Sequence, residues 1–411
     1  MSDAPFHITA GIIPLLDSAV LVAAKEKGFA EAEGVALTLI RESSWANIRD
    51  RLAVGHFQVA QMLAPMPIAC NLGLTPLASH TVAPMALGLG GNAVTVSNRL
   101  WEQMVDRGAP SGLEPKAAGE ALKAVISDTA ESGGKFRFGV VHPYSGHNYE
   151  LRYWLAACGI DPDRDIEILI LPPPLMADAL ASGNVDGYCV GEPWNTAAVM
   201  TGSGRIVTAK SLIWRSSPEK VLGVQSHWAE QNPDALAALL RAVYRAALWC
   251  ASPDNTEELA RLLSGAAYVD RPADWMMPAL TGEIVTGGGE TITAEDFFLT
   301  HDKAATFPWK SHALWFYSQM VRWGQVAHSE EHAEIARQTY RPDLYREALK
   351  PLGVALPGAN AKVEGALQTA TPVGSAGASL ILGPDGFFDR SLFDPDELDA
   401  YIAAQAPSAR D

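Results

Sequence analysis

The sequence of 411 residues has few cysteines and little charge. Its four cysteines, Cys70, Cys158, Cys189 and Cys250, lie far apart, and none belongs to a C-x-x-C pair or to a Cys/His cluster at metal-ligand spacing. This spacing argues against both a zinc site and a disulfide framework. Charged residues make up 19% of the chain, against about 25% in an average soluble protein. The apolar residues of the chain are numerous enough for a large buried core.

Positive charge is scarcer than negative charge. The chain has 31 Lys and Arg residues against 47 Asp and Glu residues, which gives a formal net charge of −16. Such a chain is repelled by phosphate backbones and by anionic lipid headgroups. We therefore expect no direct contact with nucleic acid or with a membrane surface.

Long apolar runs and a basic leader are also missing. The segment from Leu52 to Asn98 has no Asp, Glu, Lys or Arg, but prolines interrupt it within spans that are too short to cross a bilayer. A signal peptide needs positive charge before its apolar stretch, and the first Lys or Arg here is Lys25. We expect the protein to stay in the cytoplasm.

Signatures of common enzymes are absent as well. The sequence has no G-x-x-x-x-G-K-[ST], no H-E-x-x-H and no G-x-S-x-G. Nucleotide hydrolysis, zinc proteolysis and serine hydrolysis therefore lose their best sequence support. We expect no catalytic residues, no metal and no cofactor.

Strands alternate with helices in two blocks, at residues 7–63 and 136–190. In the second block, strand Phe136–Val141 is followed by helix 147–158 and strand 166–171. Such βαβ units predict an α/β fold with parallel sheets and helices on both faces. The β-branched run 93–97 looks like a crossover between two lobes. The second half is mostly helical, and the Gly- and Pro-rich stretch 357–386 is expected to wrap a surface or to act as a linker.

Two places in these blocks suit an anion. His147 follows Ser145 and Gly146 at the start of a helix, where free backbone amides attract anions and an imidazole adds a directed donor. A lone histidine there can equally cap the helix or pack. Gly191 follows a strand at the edge where open α/β sheets place ligands. It can equally be a simple turn glycine.

Seven short motifs occur in order along nearly the whole chain: GIIPL at 11–15, AKEKGF at 24–29, SWANIRD at 44–50, APMP at 64–67, RYWLA at 152–156, PPP at 172–174 and VGEPWN at 190–195. Together they resemble the nitrate- and bicarbonate-binding family of ABC-transporter solute receptors. The resemblance implies a two-lobed, type II periplasmic-binding-protein clamp with a ligand cleft between its lobes. Lobe I would comprise residues 1–94 and 221–345, and lobe II residues 95–220. Residues 346–411 would form a C-terminal extension that wraps the lobes.

The resemblance also implies a set of ligand residues. In the family's nitrate binders a Trp, a Gln, a His, a Gly and a Lys surround the anion, and they match Trp45, Asn92, His147, Gly191 and Lys220, with Asn in place of Gln. These residue types suit a flat, singly charged ion that needs several donors. The family's bicarbonate receptors have an acidic residue in place of the Lys. Lys220 therefore implies nitrate or nitrite as the ligand.

A receptor for an importer must leave the cytoplasm, so the expected absence of an export signal implies a cytoplasmic member of the family. The resemblance then points to a nitrate/nitrite sensor that holds a NasT-like ANTAR RNA-binding antiterminator until the ligand arrives. Two other interpretations stay open. One is a transporter receptor whose export signal is missing from this sequence. The other is an enzyme acting on a small anion, for which no nucleophile and base are found beside the anion residues.

Overall fold

The computed structural model describes residues 4–131, 133–376 and 379–405. Its strands are β1 (Phe6–Ile12), β2 (Val35–Arg41), β3 (Val59–Leu63), β4 (Thr81–Ala86), β5 (Leu89–Gly90), β6 (Asn92–Ser97), β7 (Phe136–Val140), β8 (Ile166–Ile170), β9 (Gly187–Gly191), β10 (Gly204–Ala209), β11 (Lys220–Gln225), β12 (Glu283–Gly287), β13 (Glu290–Thr293), β14 (Phe298–Leu299), β15 (Leu356–Pro357), β16 (Thr371–Val373), β17 (Ser375–Ala376) and β18 (Leu380–Leu382).

The α-helices between these strands cover the faces of the sheets. They are α1 (Ala19–Glu26), α2 (Phe29–Ala32), α3 (Trp45–Ala53), α4 (Met66–Asn71), α5 (Asn98–Asp106), α6 (Pro115–Glu131), α7 (Gly146–Ala157), α8 (Met176–Ala181), α9 (Trp194–Met200), α10 (Lys210–Ile213), α11 (Ser226–Gln231), α12 (Pro233–Ala251), α13 (Thr256–Leu263), α14 (Met277–Thr281), α15 (Lys310–Arg322), α16 (Glu330–Thr339), α17 (Pro342–Leu349) and α18 (Leu398–Gln405).

Two five-stranded sheets organise the molecule. The first has the order β2-β1-β3-β11-β4, and the second has the order β10-β6-β9-β7-β8. In the first sheet β1 is parallel to β2 and β3, whereas β11 is antiparallel to β3 and β4. In the second, β7 is parallel to β8 and β9, whereas β6 is antiparallel to β9 and β10. The α/β prediction is confirmed, but the expectation of purely parallel sheets is wrong.

The mixed strand directions follow from the path of the chain between the sheets. Strands β1, β3, β7 and β9 end at the edge of their sheet that faces the other sheet. Each of them is followed by a helical segment. Strands β6 and β11 begin where the chain has just crossed from the other sheet, so they run away from that edge. The run 93–97 is therefore an interior strand of the second sheet, in addition to being the first strand after a crossover.

The remaining helices divide between the sheets. Helix α12 packs against α1, α2 and α17 beside the first sheet, and α15 packs against α7 of the second. The β12–β13 hairpin lies beside β10, although its residues are within the range predicted for lobe I. The predicted boundary at 94/95 falls inside β6, and that at 220/221 falls inside β11.

The segment after α17 runs over the connections between the two sheets. Strand β15 pairs with β17, and β16 pairs with β18. Phe387 forms a bridge with Trp214, in the connection from β10 to β11, and stacks on its ring at a centroid distance of 4.7 Å. This contact places Phe387 against the connection from β10 to β11.

One pair of helices in the described part of the chain has the length and apolar composition of a membrane span. No individual helix there combines the length and apolar composition of a span. The helices Pro233–Ala251 and Pro253–Leu263 pass that test only as a pair, and they meet at an angle of 88°.

Candidate functional site

Two serine-capped helices begin at the edges where the sheets face each other. Trp45 is the first residue of α3, and the Ser44 hydroxyl accepts the Asn47 N–H at 3.3 Å. His147 is the second residue of α7, where Ser145 accepts the Asn148 N–H at 3.0 Å. Capping fixes each helix start, because it satisfies an amide that has no partner within the helix. Trp45 and His147 are thereby held at the cleft between the sheets.

Asn92 and Gly191 lie side by side on two adjacent strands of the second sheet. They are register partners at the first position of β6 and the last position of β9. A Cβ atom on Gly191 would lie 3.2 Å from both Asn92 Oδ1 and Leu15 Cδ2. The φ angle of Gly191 lies outside the left-handed region. A side chain at this position would crowd two neighbouring side-chain ends, whereas the backbone conformation itself does not call for glycine.

Lys220 is the first residue of β11 and is fully buried. Its Nζ lies 2.7 Å from Asp17 Oδ2 and 2.5 Å from Glu219 Oε1. It also lies 5.3 Å from the centroid of the Trp45 ring, within the range of a cation–π contact. Asp17 Oδ2 is in turn 3.5 Å from the Cβ position of Gly191. These contacts place Trp45, Asn92, Gly191 and Lys220 around one point.

His147 joins the same group through Glu219. Its Nε2 lies 3.4 Å from Glu219 Oε1, the oxygen that accepts from Lys220. The other Glu219 oxygen contacts the Lys210 ammonium, which lies 3.0 Å from Glu150 Oε1. The structure thus brings all five residues predicted from the sequence into one buried cluster.

The sequence reasoning missed the charged residues that tie this cluster together: Asp17, Glu150, Lys210 and Glu219, with the Gln61 amide beside them. Three of them leave a signal in the sequence. Asp17 stands alone in an apolar run, which is typical of a buried, paired charge. Glu150 follows His147 by three positions, which puts both on one helix face. Glu219 directly precedes Lys220.

Burial changes the protonation of the cluster. It lowers the pKa of His147 to about 3, with Lys220 and Lys210 adding to the effect and Glu219 opposing it. The imidazole is therefore neutral near pH 7 and has one N–H to donate. Burial also raises the pKa of Glu150 to about 8. It opposes the charge on Glu219 too, but the Lys210 and Lys220 ammonium groups hold the pKa of Glu219 below its usual range.

Several buried polar atoms of this cluster have no hydrogen-bond partner among the described residues. They are the Trp45 indole nitrogen, both amide atoms of Asn92, both ring nitrogens of His147 and both carboxyl oxygens of Glu150. Buried polar groups nearly always have partners, and an unpartnered one costs about 1–3 kcal/mol. Unpaired donors beside a buried ammonium make a receptor for a small anion with several acceptor oxygens.

The two sheets are held together across this site. The Leu16 N–H donates to Glu192 O at 2.8 Å, and the Trp194 indole donates to Pro14 O at 3.0 Å. Nearer the rim, the Tyr144 hydroxyl donates to Leu74 O at 3.1 Å. The cluster is buried between the two sheets, which these hydrogen bonds connect.

Metal ligands are not grouped in this part of the structure. Among the described residues, no three or more His, Cys, Asp and Glu side chains are arranged to hold an ion. The four cysteines are free and buried. The cluster around Lys220 is built from ion pairs and unpaired donors instead.

The fold is that of a periplasmic-binding-protein-type solute receptor. The crystal structure of the periplasmic nitrate-binding protein NrtA from Synechocystis PCC 6803 matches with a TM-score of 0.85 and 27% identity, over 98% of this chain and 99% of that one. A family model described as the NMT1-like family matches residues 4–264.

Curated relatives cover most of the chain. The nitrate/nitrite-binding protein NrtA of Synechococcus elongatus is 32% identical over 96% of this chain and 85% of its own length. The nitrate import ATP-binding protein NrtC of Synechocystis is 36% identical, and the bicarbonate transport ATP-binding protein CmpC of S. elongatus is 33% identical. These two matches cover 84% and 85% of this chain, and each covers only 50% of the relative's own length. The chain belongs to the NMT1-like family and is a homologue of its nitrate- and bicarbonate-binding proteins.

Proposed function

We propose that this protein binds nitrate or nitrite between its two sheets and acts as a cytoplasmic sensor of the NasS type. The observation that carries the ligand proposal is the group of unpaired donors on Trp45, Asn92 and His147 beside the buried Lys220 ammonium. The nitrate-binding NrtA relatives support the same ligand. No catalytic role is assigned to the cluster, because the homologues are solute-binding proteins.

Each residue has a distinct part in this proposal. Lys220 supplies a positive charge, and Trp45 and His147 each supply one N–H donor. Asn92 supplies an amide, and the absence of a side chain at Gly191 leaves room for the anion. A planar ion with three oxygens can accept from all of these donors at once.

Isothermal titration calorimetry with nitrate, nitrite, bicarbonate and sulfate tests the ligand. We expect heat of binding with nitrate or nitrite and none with sulfate, whose second charge is not balanced by the cluster. Tight binding of bicarbonate with no response to nitrate or nitrite contradicts the proposal.

The sensor part concerns a clamp that opens and closes. A partner that prefers the open state is released by a ligand that prefers the closed state. We propose that the ligand-free protein sequesters a NasT-like ANTAR RNA-binding regulator and that nitrate or nitrite releases it. The protein itself would not contact RNA, which agrees with its net charge of −16.

Size-exclusion chromatography of the protein with the regulator, with and without nitrate, tests this coupling. Linkage demands that the regulator weaken nitrate binding by the same factor by which nitrate weakens regulator binding. A complex that is indifferent to nitrate contradicts the sensor proposal.

The second candidate is the substrate-binding protein of a nitrate ABC transporter. The match to NrtA over almost its whole length favours it. Fractionation of native cells separates the two functions, because a transporter receptor is found outside the cytoplasm and the proposed sensor inside it.

A further inference from the structure

Five ionisable side chains are packed together at the candidate anion site. They are the carboxylates of Asp17, Glu150 and Glu219 and the ammonium groups of Lys210 and Lys220, and none is more than 4% exposed. Three acidic groups against two basic ones give a net charge of −1 when all are ionised. The site therefore has no surplus positive charge with which to bind an anion.

Lys220 is already occupied by carboxylates. Its Nζ lies 2.7 Å from Asp17 Oδ2 and 2.5 Å from Glu219 Oε1. The other Asp17 oxygen accepts the Gln61 amide at 2.5 Å, and the Ile13 N–H at 2.8 Å from Gln61 Oε1 fixes that amide. An anion that reaches Lys220 has to share the ammonium with Asp17.

Asp17 also borders the space in which the anion would lie. Its Oδ2 is 3.5 Å from the Cβ position of Gly191, whose partner Asn92 has an unpaired amide. Two negative charges a few ångströms apart repel strongly in a site without water, and one of the pair is expected to become neutral. Nitrate is the anion of a strong acid and does not accept the proton near pH 7, so a side chain must.

We propose that the site binds its anion together with one proton and that Asp17 accepts this proton. This inference rests on the proposed function. The protonated Asp17 carboxyl has an O–H to donate, and Lys220 then faces one carboxylate, Glu219, in place of two and can balance the anion. The proton and the anion together add no net charge to the site. The only bond formed is the O–H bond on Asp17, and the proton comes from solvent.

The surroundings of Asp17 favour it over the other acceptors. Burial, which outweighs the attraction of Lys220, raises the pKa of Asp17. Glu219 faces both ammonium groups, which keep its pKa low. Glu150 faces Lys210 and has a pKa of about 8 after burial, so it already holds a proton near pH 7. The pKa of His147, about 3 because of burial, makes it a poor acceptor.

One more buried acidic residue, Glu192, contacts the chain next to Asp17 through its backbone. Its backbone carbonyl accepts the Leu16 N–H, and its carboxyl oxygen Oε2 accepts the Thr196 N–H at 3.0 Å. Burial raises the pKa of Glu192 to about 7. Its Oε2 is engaged at the start of α9 and its Oε1 has no hydrogen-bond partner among the described residues, whereas Asp17 contacts the ammonium that the anion needs.

Calorimetry of nitrate binding in HEPES, imidazole and Tris tests the proposal, because the buffers differ in ionisation enthalpy and the observed heat then reports the number of protons taken up. For the full chain near pH 7 we expect close to one proton per nitrate. The apparent Kd should rise about tenfold for each unit of pH increase, as linkage requires for one proton.

Nitrate binding with no proton uptake overturns the inference and leaves the proposed function intact. No binding of nitrate or nitrite at any pH contradicts the proposed function itself.

The variant Asp17→Asn assigns the proton. Its amide donates a hydrogen bond without titrating, so we expect proton uptake to vanish and the affinity to become independent of pH. The matched control is Asp163→Asn, an exposed aspartate that pairs with Arg152, and it should behave as the parent protein does. Persisting uptake in folded Asp17→Asn overturns the assignment to Asp17.

A spectroscopic measurement covers the case in which Asp17→Asn fails to fold. Infrared difference spectra of the parent protein with and without nitrate should show a new C=O band of a protonated carboxyl. Absence of this band overturns the assignment of the proton to a carboxyl side chain.

Discussion

Lys220 carries two roles in one side chain. It is the positive charge offered to the proposed anion, and it is also the partner of two buried carboxylates, Asp17 and Glu219. Removing one member of a buried ion pair leaves the other charge without compensation, which typically costs 3–5 kcal/mol. Its contributions to binding and to stability must therefore be measured separately.

For Lys220→Gln we expect nitrate binding to be lost and the free energy of unfolding to fall by about 3–5 kcal/mol. Calorimetry with nitrate and urea denaturation measure the two effects. Lys116→Gln, on the exposed surface of α6, is the matched control and should change neither. Unaltered affinity in Lys220→Gln removes Lys220 from the site.

His147 should behave differently, because its ring has no hydrogen-bond partner among the described residues. His147→Ala is expected to weaken nitrate binding by about 1.5–3 kcal/mol, the range for a hydrogen bond to a charged group. The matched control is His56→Ala, which changes an exposed histidine. Loss of folding with no specific effect on affinity shows that His147 only packs.

Strand β9 has a glycine at each end, one packed in the core and one at the candidate anion site. A Cβ atom on Gly187 would lie 2.6 Å from the Phe138 ring, inside the packed sheet. A Cβ atom on Gly191 would lie 3.2 Å from Asn92 Oδ1, at the candidate anion site. The same substitution should therefore have different effects at the two ends of the strand.

We expect Gly187→Ala to lower the free energy of unfolding by about 1–3 kcal/mol through overpacking. Gly191→Ala should lower nitrate affinity at least tenfold with a smaller loss of stability, since its methyl group enters the space of the anion. Thermal unfolding and nitrate titration of both variants measure this. Equal losses of stability with unchanged nitrate affinity argue that Gly191 is only structural.

The whole molecule is a two-lobed receptor fold whose sheets are also joined by contacts other than those around Lys220. The Tyr144 hydroxyl, in the second sheet's unit, donates to Leu74 O after α4. Arg49 Nη1 lies 3.5 Å from His142 Nε2 at the same rim. Contacts that exist only when the lobes are together favour the closed state, and through it they favour ligand binding.

Tyr144→Phe removes one such contact and leaves the five candidate ligand residues unchanged. The expected loss of nitrate affinity is about 0.5–1.5 kcal/mol, the net value of one hydrogen bond. In the sensor proposal the same variant should hold the regulator more tightly, because the open population grows. Tyr317→Phe, which loses a hydroxyl that contacts Ser329 and His328, is the control. If nitrate affinity stays unchanged in Tyr144→Phe, this rim contact does not contribute to closure.

The local pattern of the sequence was sufficient to predict individual elements and several functional positions. The strands at β1, β2 and β7 and the helix at α7 follow from periodicity and capping residues. The separated motifs led to the family and to Trp45, Asn92, His147, Gly191 and Lys220. These features are local because a capped helix start or an apolar strand depends mainly on neighbouring residues.

Only the tertiary structure decided how these pieces meet. The antiparallel directions of β6 and β11 depend on where the chain crosses between the sheets, and the pairing of Asp17 with Lys220 depends on β11 returning to the first sheet beside β3. Neither leaves a periodic signal, since the partners are far apart in sequence and one is a single charge in an apolar run. The sequence by itself therefore determined the elements and the donor types of the site. The balance of buried charge, from which the proton-linked binding is inferred, arises only when the two sheets close on each other.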